Sequence, residues 1–150
     1  MKIQWTVKQF DELSSLQVYQ ILQLRNEVFV VEQNCVFQDA DDKDQGSYHL
    51  MGYTGSQLAA YTRLVPAGYI YPEVSIGRVV TAPFIRRSGI GRELMLQSIK
   101  QAYALFGEHP IKIGAQYYLK RFYESLGFLQ TSDIYLEDGI EHIYMIKYIL

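Results

Sequence analysis

The chain has a single cysteine, Cys35, in 150 residues. No intrachain disulfide can form from it, and a cysteine-only zinc site is excluded. Long apolar runs are also missing: nothing approaches the ~18 residues that a membrane helix needs. The start, Met1-Lys2-Ile3-Gln4-Trp5, has no apolar stretch of signal-peptide length, so the expected location is cytoplasmic. Charge of one sign is not in excess. Fourteen Lys and Arg face sixteen Asp and Glu, for a net charge of −2. A general nucleic-acid binder carries a large basic surplus, so neither nucleic acid nor membrane is an expected partner. There is no repeat, low-complexity tract or Pro/Gly/Ser linker to divide the chain. One domain over residues 1–150 is expected, and a chain of this length hides roughly 70% of its unfolded surface.

What the sequence does have is a half-apolar, one-fifth-charged composition of ordinary globular type. Thirteen tyrosines imply several half-buried sites where a ring is apolar and its tip polar. Residues 2–7 alternate as a short strand. Residues 14–30 read as a helix capped by Ser14 or Ser15, with Val18, Leu22, Arg25 and Phe29 at helical spacing. Residues 34–46 read as an acidic, solvated loop. Two strands, 47–54 and 57–65, flank a hairpin signal at Gly55-Ser56. Residues 74–81 read as a central strand, with Gly77 a candidate bulge and Pro83 ending it. A helix over 89–106 buries Ile90, Met95, Ile99, Ala102 and Phe106, and Gly107 stops it. A strand over 111–115, a helix over 118–126 closed by Gly127, and strands over 128–136 and 140–148 complete the chain. The order β-α-β-β-β-α-β-α-β-β predicts an α/β (α+β) class with a mixed sheet.

The stretch Val74 to Arg92 holds Arg78, Arg86, Arg87 and Arg92 and no acidic residue. It lies where a strand ends and a helix begins. Arg86-Arg87-Ser88-Gly89-Ile90-Gly91 puts two glycines at that helix start, where a bulky anion can approach the main chain. First-turn N–H groups have no intrahelical acceptor, and the helix dipole makes that end positive. Free donors, close approach and guanidinium together suit a phosphate or pyrophosphate. Leu94 occupies the third-glycine position of a dinucleotide fingerprint, and a Walker lysine is absent.

Elsewhere the residues carry less chemistry. His49 and His142 sit on expected strands and read as structural histidines. Cys35 reads as a buried free thiol. The scattered histidines and lone cysteine show no metal spacing, and counting from Asp39 puts Lys43 and Leu50 on ligand positions of a calcium loop, so no metal is expected.

Arg86-x-x-Gly89-x-Gly91, between a strand and an amphipathic helix, resembles the acetyl-CoA motif Gln/Arg-x-x-Gly-x-Gly/Ala of the GNAT N-acetyltransferases. Gln116 to Phe128 resembles that family's second signature, Asn-x-x-Ala-x-x-Phe-Tyr-x-x-x-Gly-Phe, with Gln116 replacing Asn and Leu119 replacing Ala. Four further blocks are similar to the ElaA-like branch: residues 24–35, 76–80, 114–116 and 138–142. The resemblance covers nearly the whole chain and implies the GNAT acyl-CoA N-acyltransferase fold.

It also implies acetyl transfer from acetyl-CoA to a primary amine by direct attack, the acceptor being an unidentified small molecule or peptide amine. Arg86, Arg87, Ser88, Gly89, Ile90, Gly91 and Arg92 would hold the pyrophosphate. Val79, Val80 and Thr81 would pair with the peptide-like pantetheine arm by β-augmentation, and Gln116 would stand at the cofactor contact on the next strand. Tyr123 holds the family's general-acid position. Glu73 and Glu32 are candidates for the base, and His49 and His142 are weighed beside them, although a lone strand histidine is more often structural. The N-terminal helix and the acidic loop would wall the acceptor pocket, the loop attracting a cationic amine or remaining solvated. A homodimer is compatible with the fold. Two other readings stay open: acyl transfer of the acyl-homoserine-lactone-synthase kind, suggested by Arg25-x-x-Val28-Phe29, and a non-catalytic acyl-CoA-binding domain.

Overall fold

Ser14 opens the first helix. Its Oγ accepts the Gln17 N–H at 3.1 Å, and the Gln17 side chain accepts the Ser14 N–H at 2.9 Å, a reciprocal capping box. The structure, a computed structural model, describes residues 2–150. Helix α1 runs Ser15–Arg25 and passes directly into a π-helical segment, Asn26–Glu32. The sequence spacing predicts one α-helix to residue 30. The observed winding is wider in its last turns, so the side chains after Arg25 drift around the axis. Such π turns are rare and often line functional sites.

Eight strands follow the sequence closely: β1 Gln4–Gln9, β2 Tyr48–Thr54, β3 Gln57–Val65, β4 Val74–Thr81, β5 Ile111–Gln116, β6 Phe128–Gln130, β7 Tyr135–Glu137 and β8 Ile140–Lys147. They form one mixed sheet in the order β1-β2-β3-β4-β5-β8-β6, with β7 also paired to β8. Helix α2, Ile90–Phe106, joins the parallel pair β4 and β5, and a short α3, Lys120–Glu124, follows β5. The expected strand over 128–136 is two strands. The Ser132 Oγ accepts the Tyr144 N–H at 2.9 Å, a side chain standing in for a ladder partner, and this breaks the run.

Two irregularities shape the middle of the sheet. Tyr61 pairs with Val80 and Arg63 with Gly77, so Arg78 and Val79 together oppose Thr62. The bulge therefore sits at Arg78, whose φ is +51°, rather than at Gly77. Beyond it, β4 and β5 pair only through Val74–Ile111 and Ser75–Lys112. From Ile76 onward that edge of β4 has no strand partner.

Strand alternation assigns the faces. Thr62 meets Ser98 of α2 at 2.8 Å, so α2 covers the face bearing Ile76, Ile111, Ile113 and Ala115. Tyr61 and Arg63 point the other way, toward α1. Leu50, Leu64, Ile76, Leu94, Met95, Ile111, Ile143 and Met145 are fully buried. Each such side chain contributes about 1.5–3 kcal/mol relative to exposure.

Candidate functional site

The acidic loop folds back on three arginines. Arg25, fully buried at the end of α1, reaches Asp39 at 2.6 Å and Asp44 at 2.8 Å. Arg63 of β3 meets Asp41 at 2.8 Å and Asp44 at 2.9 Å. Arg78, in the bulge, meets Asp39 at 2.8 Å and Asp41 at 3.2 Å. Burial works against the charge of Asp41, yet the hydrogen bond and charge of Arg63, with Arg78, hold its carboxyl at about 2. Asp44 is likewise held low, its desolvation outweighed by Arg25 and Arg63. The loop is therefore a neutralised structural clamp, not a solvated segment and not a free negative lure. For the same reason Arg78 is not part of the cationic field expected around Val74 to Arg92. Nothing in the spacing of these six residues announced their pairing.

The opening between β4 and β5 leads into a cavity of about 840 Å³. Val79, Val80 and Thr81 line it from β4, Gln116 from the end of β5, and Arg86 and Gly91 from the start of α2. Gly89 caps α2 with φ +81°, and Arg87 also has positive φ, at +67°. A Cβ built on Gly89 would meet open space, and one on Gly91 would only touch the Phe122 ring at 4.0 Å. The first helical N–H bonded back to the chain is that of Glu93, to the Gly89 carbonyl at 3.2 Å. The helix start thus presents free donors beside unobstructed glycines.

The cations around it differ in availability. Arg86 makes a two-pronged bond with Glu32 at 2.7 and 2.8 Å. Arg92 donates to the Ser125 hydroxyl at 3.1 Å. Arg87 is exposed and has no ion-pair partner among the described residues. The Arg86 hydrogen bond also holds the Glu32 carboxyl below its ordinary range. Glu32 is therefore a poor proton acceptor in this arrangement, which counts against it as the base. Glu73 precedes β4 at the end away from the opening and is not among the cavity-lining residues, so the expectation that it serves there finds no geometric support.

Tyr123, on α3, lines the cavity and is otherwise buried, edge-on to Phe122 and Phe128. Burial, with a smaller contribution from Tyr118, pushes its phenol up, so it keeps its proton at neutral pH. It could donate that proton, as a general acid must. His49 is a satisfied core residue. Its Nδ1 lies 2.7 Å from the Tyr61 hydroxyl and its Nε2 2.9 Å from the Asp44 carbonyl, and burial holds it below its usual value. Cys35 is buried and its Sγ donates to the Asp138 carbonyl at 3.3 Å.

The far end of the cavity comes from loops and strand ends that sequence patterns did not single out: Gln33, Phe37, Ile70, Tyr71 and Glu137. Only the fold brings them together. Gln33, just past the π segment, accepts from Gln116 Nε2 at 3.5 Å, joining the helix wall to the end of β5. Among the described residues no cluster of His, Cys, Asp or Glu could hold a metal ion, and no helix is long and apolar enough to cross a membrane.

Comparison with known proteins agrees with this geometry. The family model described as an acetyltransferase (GNAT) domain matches residues 14–149. A UPF0039 protein of Synechocystis is 42% identical over 147 residues, covering 97% of this chain and 96% of its own. The crystal structure of an acyl-CoA N-acyltransferase from Pseudomonas aeruginosa superposes with TM-score 0.94 at 38% identity, covering 97% of this chain and 99% of that one. That of Escherichia coli ElaA superposes with TM-score 0.91 at 37% identity, over the same shares of the two chains. With a split β4–β5 edge, an open glycine-flanked helix start and these relatives spanning its length, the chain belongs to the GNAT acetyltransferase family and is ElaA-like.

Proposed function

We propose that the protein transfers an acetyl group from acetyl-CoA to a primary amine by direct attack, with no covalent enzyme intermediate. The observation that carries this reading is the continuity of one cavity from the open start of α2, along the unpaired edge of β4, to the buried Tyr123. The helix-start N–H groups with Arg86 and Arg87 suit the diphosphate. The free edge at Val79 to Thr81 suits the amide-bearing pantetheine arm, which can pair with it as an added strand. A main-chain N–H there would face the charge that develops on the thioester oxygen, a contact typically worth ~3 kcal/mol. The amine attacks the carbonyl carbon as the C–N bond forms and the C–S bond breaks. Tyr123 then protonates the departing thiolate.

Binding and turnover test this separately. Calorimetry should show saturable acetyl-CoA binding, weakened at least tenfold in Arg86→Glu, because a carboxylate would then face the diphosphate beside Glu32. Release of free thiol in a screen of polyamines, amino acids, aminoglycosides and peptide N-termini should reveal the acceptor. Equal affinity in wild type and Arg86→Glu would remove the diphosphate site. Binding without turnover on any amine would favour a non-catalytic acyl-CoA-binding role. Turnover with octanoyl-CoA in preference to acetyl-CoA would favour longer acyl donors.

A further inference from the structure

We propose that His142, with Glu137 beside it, is the general base that takes the proton from the attacking amine; this rests on the amine-transfer reading above. His142 lies on β8 directly across from Gln116, at the end of β5 where the sheet opens. Both residues line the cavity. By strand alternation they share the face on which α1 packs, whereas Tyr123 belongs to α3, which packs with Phe128 on the opposite face. Acid and base therefore approach the opening from opposite sides of the sheet. Attack on a thioester carbonyl passes through a tetrahedral carbon, so the base serves the amine and the acid serves the sulfur, and the two can stand on different walls of one cavity.

The hydrogen bonding sets the tautomer. His142 Nδ1 lies 2.8 Å from the Ile140 carbonyl oxygen, which can only accept. Of the ring's two acceptor neighbours this is the nearer, so the neutral ring places its hydrogen on Nδ1 and leaves the Nε2 lone pair, on the Glu137 side, to receive a proton. Glu137 Oε2 stands 3.5 Å from Nε2. An imidazolium formed during the reaction would be stabilised by that carboxylate, which stands beside the nitrogen that takes the proton. His142 is 7% exposed, so it is sheltered from bulk water yet open to the cavity. Its ring is held beside that of Tyr135, with centroids 5.8 Å apart. The titratable and charged groups around this end are Glu137, Asp138, Cys35, Tyr71, Tyr135 and Tyr144, with the Arg78 guanidinium beyond Tyr71. Neither carboxylate considered from the sequence is positioned to compete: Glu32 is held by Arg86, and Glu73 lies outside the cavity lining.

The protons balance. The neutral amine gives one proton to Nε2 as the C–N bond forms. The thiolate takes one from Tyr123. His142 returns its proton to solvent and the Tyr123 phenolate regains one, leaving the amide and free CoA thiol.

Two measurements test this. The first needs no acceptor. Long-range ¹H–¹⁵N correlation of the His142 ring should show the Nδ1–H tautomer in the neutral form. An Nε2–H tautomer overturns the proposal. The second follows thiol release from acetyl-CoA with n-hexylamine and 1,6-diaminohexane as probe amines. His142→Gln should lose about a hundredfold in kcat/KM, within the usual range for a general base. It should also lose the acidic limb of the rate profile, while calorimetric acetyl-CoA affinity stays unchanged. Retained rate, or an unaltered acidic limb in His142→Gln, sinks the assignment. Loss of acetyl-CoA binding by the wild-type protein would instead sink the transfer reading on which it rests.

Discussion

At the scale of single residues, the site depends on how neighbours set the protonation of its groups. Tyr123 keeps its proton because burial disfavours the phenolate. Tyr123→Phe keeps the ring packing against Phe122 and Phe128 and removes only the hydroxyl. Turnover should fall by about a hundredfold, within the span of general-acid effects, with acetyl-CoA affinity changed less than twofold. Steady-state rates with calorimetry check this, and full activity would remove Tyr123 as the acid. Glu32 shows the converse. In the sequence it is a free carboxylate near the first helix; in the fold it is the partner of Arg86, 54 positions away. No spacing rule reports such a pair, because the two residues come together only when the π segment lies over the loop before α2.

At the scale of elements, the clamp of Asp39, Asp41 and Asp44 on Arg25, Arg63 and Arg78 ties α1, β3 and β4 to the loop between α1 and β2. Arg25 is fully buried, so Arg25→Met takes a cation from buried Asp44 and half-buried Asp39 and should cost about 3 kcal/mol. Thermal melting should fall by about 6–12 °C for a chain of this size. An unchanged midpoint would mean that Arg63 and Arg78 alone neutralise the loop. The same clamp sets an acid limit. Asp41 has a folded value of about 2 against an ordinary 3.8, and Asp44 is lowered too. A depressed carboxyl stabilises the fold above its unfolded value and loses that contribution as pH falls toward the folded one. Stability followed by circular dichroism should therefore be level above about pH 4 and decline between pH 4 and 2, more steeply than in Asp41→Asn. The sequence reading of residues 34–46 as a solvated loop was the natural one, since loop composition alone says nothing of which arginines lie beneath.

At the scale of the molecule, the split sheet makes one cavity from elements spread along the whole chain. A ligand that fills it should stabilise the folded state as a unit. At ~100 times its dissociation constant, acetyl-CoA adds about 2.7 kcal/mol. Melting should rise by about 5–10 °C. Absence of any rise would count against acetyl-CoA as the occupant.

The local chain chemistry determined a good deal by itself. Period-2 and helical spacing placed nearly every strand and helix, since those patterns report which face of an element is buried. Gly89 and Gly91 marked the anion-ready helix start, because Gly89 takes a positive φ and neither residue sets a Cβ beside the first-turn N–H groups. Tertiary structure alone decided the rest: the bulge at Arg78 rather than Gly77, the arginine clamp, and the meeting of Gln116, Tyr123 and His142 around one cavity. The physical reason is range. Backbone propensity and amphipathic spacing act over a few residues and are written in consecutive letters. Ion pairs and cavity walls form between residues tens of positions apart, and only the folded chain sets those distances.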